Sequence, residues 1–363
     1  MPAGVATGDF NHDGIPDIAT TWIGNCAGSD CTNVYVSIFM GTDKGLFLPP
    51  MSYQVPLFTD QLGSVVVAVG DLNGDGNPDV VAVNSFPGGT FDTAVLLGKR
   101  DGTFSAARGY SLGTAKNGIV YLRDMDRDGN LDLIGNNAIA YGKGDGSFGE
   151  VISLPNGPVD GLAVGDFNHD GRQDLLTDQG GEITSFLGAA GRAFTRRQSV
   201  ALPCKNSCVF GSTLAMGDLN NDGRLDFAAL ANGELFTYMG NGNGTFRLAA
   251  DAAVSTLYPY SFPNLPISIE DINGDGRKDV ILAPDEGIMP VYLGRGNGTL
   301  SAPIVFAVNA GFLGISGFPV FGHFHSGPEL DMITPAGSGF TRLINSGNGT
   351  WPKAKLMPLA PQP

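Results

Sequence analysis

The chain is poor in glutamate, in basic residues and in cysteine, and each shortage excludes a class of protein. Only 6 of the 36 acidic residues are Glu, and Lys and Arg together number 21 among 363 residues. Helical surfaces favour Glu, whereas Asp competes with the helix backbone, so this composition argues against helical bundles and coiled coils. Four Cys are too few for a small disulfide scaffold. The formal charge of −15 makes nucleic acid and anionic membranes poor partners.

Long apolar runs are missing as well. No segment reaches the roughly 18 continuous apolar residues that a membrane helix needs, so we expect no membrane insertion. The first residues lack the basic-then-apolar pattern of a signal peptide, and we expect any leader or neighbouring domain to have been removed. A hydrophobic fraction of 42% against 16% charged residues argues against disorder. The chain is instead rich in Gly (54) and in Asp (30, against 6 Glu), which predicts a loop-rich, mainly β protein.

A two-part unit recurs along the whole chain. Its first part is an acidic loop of nine residues, found at 9–17, 71–79, 124–132, 166–174, 218–226 and 271–279, here called loops one to six. A seventh copy at 323–331 keeps the frame but has lost most of its acids. The second part is a glycine turn of seven residues, found at 41–47, 98–104, 142–148, 188–194, 240–246, 294–300 and 345–351. Seven such copies indicate a repeat architecture.

Each unit is predicted to form four short strands. Apolar runs flank every acidic loop, as at Val65–Val69 and Asp79–Val83, a third precedes the glycine turn, and a more polar fourth follows it. Buried inner strands and an exposed outer strand are typical of a propeller blade. The sequence therefore predicts an all-β, seven-bladed β-propeller of four-stranded antiparallel blades, with calcium loops between strands one and two. The expected single domain 1–363 divides into blades at about 1–62, 63–116, 117–158, 159–209, 210–264, 265–313 and 314–363.

The acidic loop has the pattern D-x-[N/D]-x-D-G-x-x-D, which suits a hard cation. Ca²⁺ binds six to eight oxygens from carboxylates, amides and backbone carbonyls. Positions one, three and five offer side chains, position seven offers its carbonyl, and the Asp at position nine completes the set. The predicted ligands are Asp9, Asn11, Asp13, Ile15, Asp17, Asp71, Asn73, Asp75, Asn77, Asp79, Asp124, Asp126, Asp128, Asn130, Asp132, Asp166, Asn168, Asp170, Arg172, Asp174, Asp218, Asn220, Asp222, Arg224, Asp226, Asp271, Asn273, Asp275, Arg277 and Asp279.

Six copies of this pattern predict about six Ca²⁺ ions. A polar turn that favours Asp-Gly would explain one copy, but not six copies with the same acceptor positions. The loops are not EF-hands, because position twelve carries no bidentate Glu and no helices flank the loops. Mg²⁺ is the weaker alternative, because it demands stricter geometry and keeps more of its water.

The paired motifs resemble the FG-GAP or VCBS repeats of the integrin α-subunit N-terminal propeller and its relatives, over essentially the whole chain. The resemblance implies a seven-bladed propeller with Ca²⁺ in the hairpins that join strands one and two. Most members of the family are extracellular adhesion or ligand-binding modules, some relatives are lectins, and others are attached to enzymes. Integrin propellers carry fewer such loops, and integrin ligand residues do not transfer to this sequence.

The four cysteines form two close pairs, Cys26 with Cys31 and Cys204 with Cys208, both predicted to lie in loops. Two local disulfides are the favoured interpretation for a secreted, calcium-loaded protein. Four free buried thiols and a zinc site without neighbouring His are the alternatives. Disulfides that close such short loops add little global stability.

We expect any ligand to bind at the face opposite the metal loops, where connections vary in length. Predicted long loops at Trp22–Asn33 and Ser85–Asp92, among others, carry aromatic rings beside acids, which suit stacking on sugars or anchoring a protein. The alternative is that these rings only fill the channel mouth or pack between blades. The candidate ligand residues are Trp22, Phe86, Phe91, Tyr258, Tyr260, Phe262, Asp285 and Glu286.

No catalytic residue is assigned from the sequence. None of the four His falls in the variable loops, which excludes a His base there. Asp285 and Glu286 are neighbours in sequence and not a facing pair, as a glycosidase requires. A lyase that uses Tyr258 or Lys116 as its base stays open.

The sequence therefore predicts a secreted or cell-surface calcium-binding module for a glycan or an extracellular protein. We expect a monomer or a part of a larger surface protein. The alternatives are a polysaccharide-active enzyme, lyase or glycosidase, or a propeller domain of one, and a purely structural module. The phase of the repeats favours self-contained blades, with the last packed on the first, over closure by the terminal segments.

Overall fold

The computed structural model describes residues 4–27, 30–43, 45–57, 64–85, 90–114, 119–204, 213–253, 265–283, 288–307, 319–324, 329–336, 339–346 and 353–358. These residues form 28 β-strands in seven sheets, and each sheet consists of four consecutive antiparallel strands. The expected seven-bladed β-propeller with four-stranded antiparallel blades is confirmed. Within the described ranges, no helix is long and apolar enough to cross a membrane.

The first of two compact units comprises Met1–Asp124, Gly129–Leu154 and Asn309–Pro363. It contains the strands of blades one, two, three and seven. In blade order these are β1 (Val5–Gly8), β2 (Asp17–Ala27), β3 (Asp30–Phe39), β4 (Met51–Val55); β5 (Ser64–Gly70), β6 (Asp79–Ser85), β7 (Thr90–Leu96), β8 (Arg108–Thr114); β9 (Val120–Arg123), β10 (Asp132–Gly135), β11 (Ala138–Gly142), β12 (Phe148–Ser153); and β25 (Val320–Gly322), β26 (Asp331–Ala336), β27 (Gly339–Ile344), β28 (Lys353–Pro358).

The second unit comprises Met125–Asp128 and Pro155–Val308, and it contains the strands of blades four, five and six. These are β13 (Gly161–Gly165), β14 (Asp174–Gln179), β15 (Glu182–Ala189), β16 (Ala193–Ala201); β17 (Thr213–Gly217), β18 (Asp226–Ala231), β19 (Glu234–Gly240), β20 (Phe246–Ala253); and β21 (Ile267–Glu270), β22 (Asp279–Leu282), β23 (Ile288–Tyr292), β24 (Ile304–Ala307).

The second strand of a blade is a continuous apolar run because both of its faces are buried. In β6, Val80 and Ala82 pack into a cluster with the strands of blade one. The alternate residues Val81 and Val83 pack against blade three. By contrast, the outer strand β16 is mostly exposed. The strands therefore become more polar from the first to the fourth because the inner strands are buried and the outer strand is exposed to solvent.

Blade seven takes all four of its strands from the C-terminal end of the sequence and packs against blade one. The shared cluster contains Val5, Ile18 and Phe39 from blade one with Phe324 and Phe340 from blade seven. The rings of Phe39 and Phe340 meet edge to face, 5.0 Å apart between centroids. Such a geometry is favourable for aromatic pairs beyond their burial alone.

The predicted loop at Trp22–Asn33 is wrong, because strands β2 and β3 continue through most of it. Their antiparallel register extends to Ala27 opposite Asp30. The Trp22 ring stacks on Tyr35 across the strands at 4.7 Å, and such cross-strand aromatic pairs stabilise a ladder. In the same way, β6 includes Ser85 and β7 begins at Thr90, so the predicted loop Ser85–Asp92 is shorter than expected.

Candidate metal centres

Each acidic loop joins the first strand of a blade to the second, and the glycine turn joins the third to the fourth. Because the strands alternate in direction, both connections lie at the same end of the blade. The acidic loop and the glycine turn of one blade are therefore neighbours. Their hydrogen bonds to each other organise the candidate site.

In loop five, the side chains at positions one, three and five fold the backbone around themselves. Asp218 accepts the N–H of Gly223 at 2.8 Å, and Asn220 accepts the N–H of Asp222 at 3.0 Å. Asp222 in turn accepts the N–H of Arg224 at position seven, also at 3.0 Å. Local side-chain to backbone bonds of this kind are typical of Asx turns. They gather the side-chain oxygens of the three positions into one small volume.

The same bonds recur in the other loops. The position-six glycine donates to the position-one aspartate in all six, at 2.8 or 2.9 Å, in the pairs Gly14–Asp9, Gly76–Asp71, Gly129–Asp124, Gly171–Asp166, Gly223–Asp218 and Gly276–Asp271. All six of these glycines have positive φ, where a side chain would be strained. The glycine at position six is thus explained by the turn that it allows.

Loop three has the most acidic set, with Asp126 where the other loops have Asn. One oxygen each from Asp124, Asp126 and Asp128 lie within 4.8 Å of one another. Oxygens that coordinate one Ca²⁺ at 2.3–2.6 Å are at most about 5 Å apart. The donor chemistry and spacing of this loop therefore fit a calcium ion.

The aspartate at position nine is fully buried in every acidic loop and also in the seventh. In blade two, Asp79 accepts the N–H of Leu72 at 2.8 Å and that of Gly98 at 2.7 Å. The first bond reaches position two of the acidic loop, and the second reaches the first residue of the glycine turn. Asp17, Asp174, Asp226 and Asp279 make the same two bonds. This carboxylate ties the two connections of a blade together, in addition to its predicted role as an ion ligand.

Burial dominates the electrostatics of these buried carboxylates. It raises the pKa of Asp17, Asp79, Asp174, Asp226 and Asp279 to about 6. The two backbone N–H donors of each group lower the pKa and offset part of that effect, while the nearby acids at positions one and five raise it. The charged form is therefore poorly compensated by the protein alone.

The first residue of the glycine turn is glycine in six blades, because the backbone of the acidic loop leaves no room there for a side chain. A methyl group added at Gly240 would lie 2.2 Å from the carbonyl oxygen of Leu225, at position eight of the acidic loop. The corresponding glycines of the other five acidic blades are equally crowded, with 2.0–2.4 Å to the carbonyl at position eight. Distances below about 3 Å exclude a side chain, so this glycine is a packing requirement.

The seventh blade keeps this framework without the acidic loop. Asp331 is buried and accepts the N–H of Asn345 at 2.8 Å, although Asn345 replaces the crowded glycine. The Asn345 amide donates to the position-eight carbonyl of Leu330 at 3.1 Å. His323, at position one, makes a hydrogen bond of 3.1 Å between Nδ1 and the position-seven carbonyl of Glu329. Since a carbonyl only accepts, Nδ1 carries the proton here.

One ion pair joins the second unit's segment 125–128 to the glycine turn of blade four. Arg192 Nε donates to Asp126 Oδ2 at 2.8 Å, with side-chain exposures of 29% and 11%. Arg192 has a φ of 62°, and it stands where the equivalent turn of blade five has Gly244. The additional acid of loop three is thus matched by an arginine at a position that normally holds glycine.

Most of the predicted ligand face lies outside the described residues, including Phe86, Tyr258, Tyr260, Phe262, Asp285 and Glu286. Phe91 lies in strand β7. Trp22, which the sequence analysis also proposed, stacks on Tyr35 within blade one. This contact lies within one blade, and a role of Trp22 in ligand binding stays a prediction.

The cysteines are placed only in part. Cys26 and Cys31 are opposite each other in the register of β2 and β3, and do not lie in a loop as predicted. Opposite residues of an antiparallel pair have Cα atoms about 4.5–5.5 Å apart, which a disulfide spans. Among the described residues there is no free cysteine. Cys208 lies outside them, and both disulfide pairings stay predictions.

The first strands of blades one to three line a cavity of about 250 Å³ in the first unit. Its walls are mainly aliphatic, from Val5, Val66, Val67 and Ile119, and Tyr121 is the largest polar side chain. Burial raises the pKa of Tyr121 to about 12, despite the opposing effect of Arg123. A phenol with this pKa stays protonated at neutral pH and is a poor general base.

Sequence reasoning missed the roles of Arg192 and Asn345. Both replace a glycine at a fixed place in the glycine turn, in the segments GRAF and NSGNG. A comparison of the seven turns position by position would have identified them, because each departure is accompanied by a change in the neighbouring loop.

Comparisons with known proteins agree with this architecture. Residues 9–82 and 71–134 match the model of the FG-GAP-like repeat. Integrin alpha-3 of Cricetulus griseus is 32% identical over 101 residues, which are 24% of this chain and 10% of that protein. The chain thus corresponds to a small part of this relative.

Two solved structures share the fold at low sequence identity. An Agrocybe aegerita lectin that recognises non-reducing terminal N-acetylglucosamine has a TM-score of 0.64 at 16% identity, with 98% of this chain and 94% of that chain covered. The periplasmic gluconolactonase PpgL of Pseudomonas aeruginosa has a TM-score of 0.59 at 15% identity, with 85% and 86% covered. The segment 9–134 is thus similar to FG-GAP-like repeats, and the described residues form the seven four-stranded blades of a β-propeller.

Proposed function

We propose that each of the six acidic loops binds one Ca²⁺ ion and that these ions stabilise the blades. The supporting observation is the repeated gathering of oxygen donors at positions one, three and five of each loop, strongest in loop three. The position-seven carbonyl and the position-nine carboxylate would complete the ligand set. A bound divalent cation compensates acids that otherwise repel one another.

The overall charge supports a role for counterions. Of the 30 Asp, 19 lie in the six acidic loops. Six divalent ions would reduce the formal charge from −15 to about −3. The acidity of the sequence is then a property of the ion sites more than of the surface that a partner meets.

Calcium content and thermal stability test this proposal together. We expect about six Ca²⁺ per chain by elemental analysis after dialysis against trace calcium, and a melting temperature that falls strongly in excess EDTA. Readdition of Ca²⁺ should restore the melting temperature, and Mg²⁺ at the same concentration should restore less. An unchanged melt in excess EDTA, with no calcium found, would sink the proposal.

We further propose that the propeller is a secreted or cell-surface ligand-binding module for a glycan or an extracellular protein. The FG-GAP-like repeats support this, because integrin α subunits carry them in an extracellular adhesion receptor. A fold shared with an N-acetylglucosamine-binding lectin supports a glycan in particular. A glycan array probed in Ca²⁺ is the direct test, and a purely structural module would bind none of its glycans.

A polysaccharide-active enzyme is the second candidate, because a gluconolactonase has the same fold. The Tyr and Lys that the sequence offers as bases, Tyr258 and Lys116, lie outside the described residues. Incubation with acidic and neutral polysaccharides would distinguish the classes. Released unsaturated ends indicate a lyase, released reducing ends indicate a glycosidase, and neither is expected from a binding module.

A further inference from the structure

Loops four, five and six have an arginine at position seven, whereas loops one to three do not. In the first three loops this position holds Ile15, Asn77 and Asn130. The three arginines, Arg172, Arg224 and Arg277, are here called the arginine row. We infer that the arginine row binds linear acidic polysaccharides when its loops carry their ions.

The row is positioned by the loops themselves. The backbone N–H of each arginine donates to the position-five aspartate of its loop, at 2.8 Å for Arg172, 3.0 Å for Arg224 and 2.9 Å for Arg277. All three residues belong to the second unit. One guanidinium group is thus attached at the same loop position in three successive blades.

In blades five and six, the side-chain stems lie over the glycine turn of the same blade. A methyl group added at Gly242 would lie 3.1 Å from Arg224 Cδ, and one added at Gly296 would lie 3.4 Å from Arg277 Cδ. Both arginines remain exposed. Packing the aliphatic stem while the charged head stays in water is the usual arrangement for arginine at a surface. It restricts the stem and reduces the entropy lost on binding.

The guanidinium groups of the row are among the donors that this surface offers to a partner. In the glycine turn of blade five, Asn241 donates to Thr245, and Thr245 donates to Asn243, so these groups satisfy one another. Among the described residues, Arg172 and Arg277 form no ion pair. Arg224 approaches Asp222 only to 3.8 Å, with half-exposed side chains. Guanidinium binds carboxylate and sulfate groups through paired hydrogen bonds.

Ion loading determines whether an anion can approach, and in this respect the inference rests on the proposed function. Loops four to six contain nine aspartates, three position-seven arginines and Lys278, which gives a formal charge of −5 without ions. Three divalent ions would bring this set to about +1 and remove the competition of Asp222 for Arg224. The same surface then repels a polyanion before loading and accepts it afterwards.

The chemistry of the row favours a polysaccharide over an acidic protein. The row offers one basic group in each of three successive blades, so a linear polyanion could contact more than one of them. Stable protein interfaces also need apolar anchors. The large exposed apolar side chains of the described residues are Leu46, Leu48, Val151, Leu248, Ile304 and Val305. None of these residues is in loops four to six.

Binding to immobilised hyaluronan, which carries only carboxylates, and dextran sulfate, which carries only sulfates, tests the inference at about 0.15 M salt. Neutral dextran and polyglutamate are the comparisons. In Ca²⁺ we expect binding to one or both acidic polysaccharides and none to dextran. The arm that binds identifies the anionic group. Polyglutamate bound as tightly as the better polysaccharide would overturn the assignment to a polysaccharide.

The triple variant Arg172→Gln/Arg224→Gln/Arg277→Gln tests the row itself. We expect its affinity to fall about tenfold, because charge-assisted bonds are weakened by solvent but add over three sites. The matched control, Arg100→Gln/Arg108→Gln/Arg247→Gln, removes the same charge from exposed arginines elsewhere. An equal loss in both variants would mean a general charge effect and overturn the inference, as would undiminished binding by the row variant.

Melting curves separate this inference from the proposed function. The glutamine variants keep the backbone carbonyls, so Ca²⁺ should raise their melting temperatures as much as that of the wild type. If calcium stabilises all three proteins but no acidic polysaccharide binds, the inference that the arginine row binds polysaccharides is wrong. The proposed ion sites are then still supported. If calcium stabilises none of them, the ion sites are wrong. Polysaccharide binding that persists in EDTA, with the protein still folded by circular dichroism, would contradict the dependence on ions.

Discussion

Asp331 accepts a hydrogen bond from the backbone N–H of Asn345 at 2.8 Å, in the blade whose acidic loop has degenerated. In the other blades, the position-nine aspartate makes the same bond to the first residue of the glycine turn, as Asp226 does with Gly240 at 2.7 Å. The bond thus persists where positions one, three and five have lost their acids. Position nine therefore has a structural role that is separable from its predicted role in ion binding.

Replacing this aspartate should reveal both roles. We expect Asp331→Ala to destabilise the protein by about 1–3 kcal/mol, because a buried N–H loses its acceptor. The loss should be equal in Ca²⁺ and in EDTA. Asp226→Ala should destabilise in EDTA and more strongly in Ca²⁺, since a predicted ion ligand is also lost. Chemical denaturation in both conditions measures this, with the exposed Asp251→Ala as control. Equal losses for Asp226→Ala in the two conditions would argue against its role as a ligand.

The crowded glycine of the turn gives a second prediction. Gly240→Ala should cost more than about 2 kcal/mol, because the added methyl meets the Leu225 carbonyl and the backbone must shift. In blade seven, Asn345→Ala at the equivalent position should cost only about 0.5–1.5 kcal/mol, the value of its bond to Leu330. Melting temperatures of the two variants test the contrast. Similar losses of stability in the two variants would show that the position-eight carbonyl does not restrict which residue fits at the start of the glycine turn.

The ion pair of Arg192 with Asp126 should contribute measurably in the absence of ions. Arg192→Gln is expected to lower stability in EDTA by about 1 kcal/mol, since both side chains are largely buried. The difference in stability between the wild type and Arg192→Gln should be smaller in Ca²⁺, because an ion in loop three would then compensate the charge of Asp126. The matched control is Arg196→Gln, whose pair with Glu182 is exposed at 61% and 55%. An exposed pair contributes little, so no change is expected there.

The buried carboxylates predict an unusual response to pH in protein stripped of ions. Their pKa is about 6 in the folded state, as for Asp79, against about 3.9 for an unfolded Asp. The folded state therefore binds more protons in this interval, and stability should rise as the pH falls from about 7 to about 5. This gain in stability is lost again as the pH rises through about 6.

Calcium should reverse this trend. Protons compete with the ion for the same carboxylates, so the calcium-loaded protein should lose stability over the same fall in pH. The groups that face Asp79 and raise its pKa are Asp75 and Asp71. Melting temperatures at three pH values, with and without Ca²⁺, measure both slopes. Parallel slopes would contradict the prediction.

The sequence repeats made it possible to predict the fold from the sequence. The seven blades, their four strands and their order follow from apolar runs that recur around fixed Asp and Gly positions, because each blade must bury the same strands. Strand ends were harder to predict. The fourth strand was predicted to follow the glycine turn, which in blade two ends at Phe104. Strand β8 begins only at Arg108, and Phe104 makes an isolated bridge to Gly98.

The long hairpin of blade one was missed for a different reason. Cys26 and Cys31 lie in a segment with Gly, Asn and Asp, which suggested a loop, yet the ladder continues through it. Contacts between the two strands, such as the stacking of Trp22 on Tyr35, favour strand formation there. The local amino-acid composition does not reveal such contacts. Arg192 and Asp126 are 66 residues apart, so only the packing of successive repeats brings them together.

Because every blade is built from four consecutive strands, each sheet can form as soon as its own stretch of sequence leaves the ribosome. Folding can then proceed from the first blade to the last without waiting for distant partners. The exception is the surface where Val5, Ile18 and Phe39 meet Phe324 and Phe340. One half of that surface is made with blade one and the other only with blade seven, after the five blades between them along the chain. Until blade seven is made, this apolar face of blade one stays uncovered, and transiently exposed apolar surface is prone to aggregation.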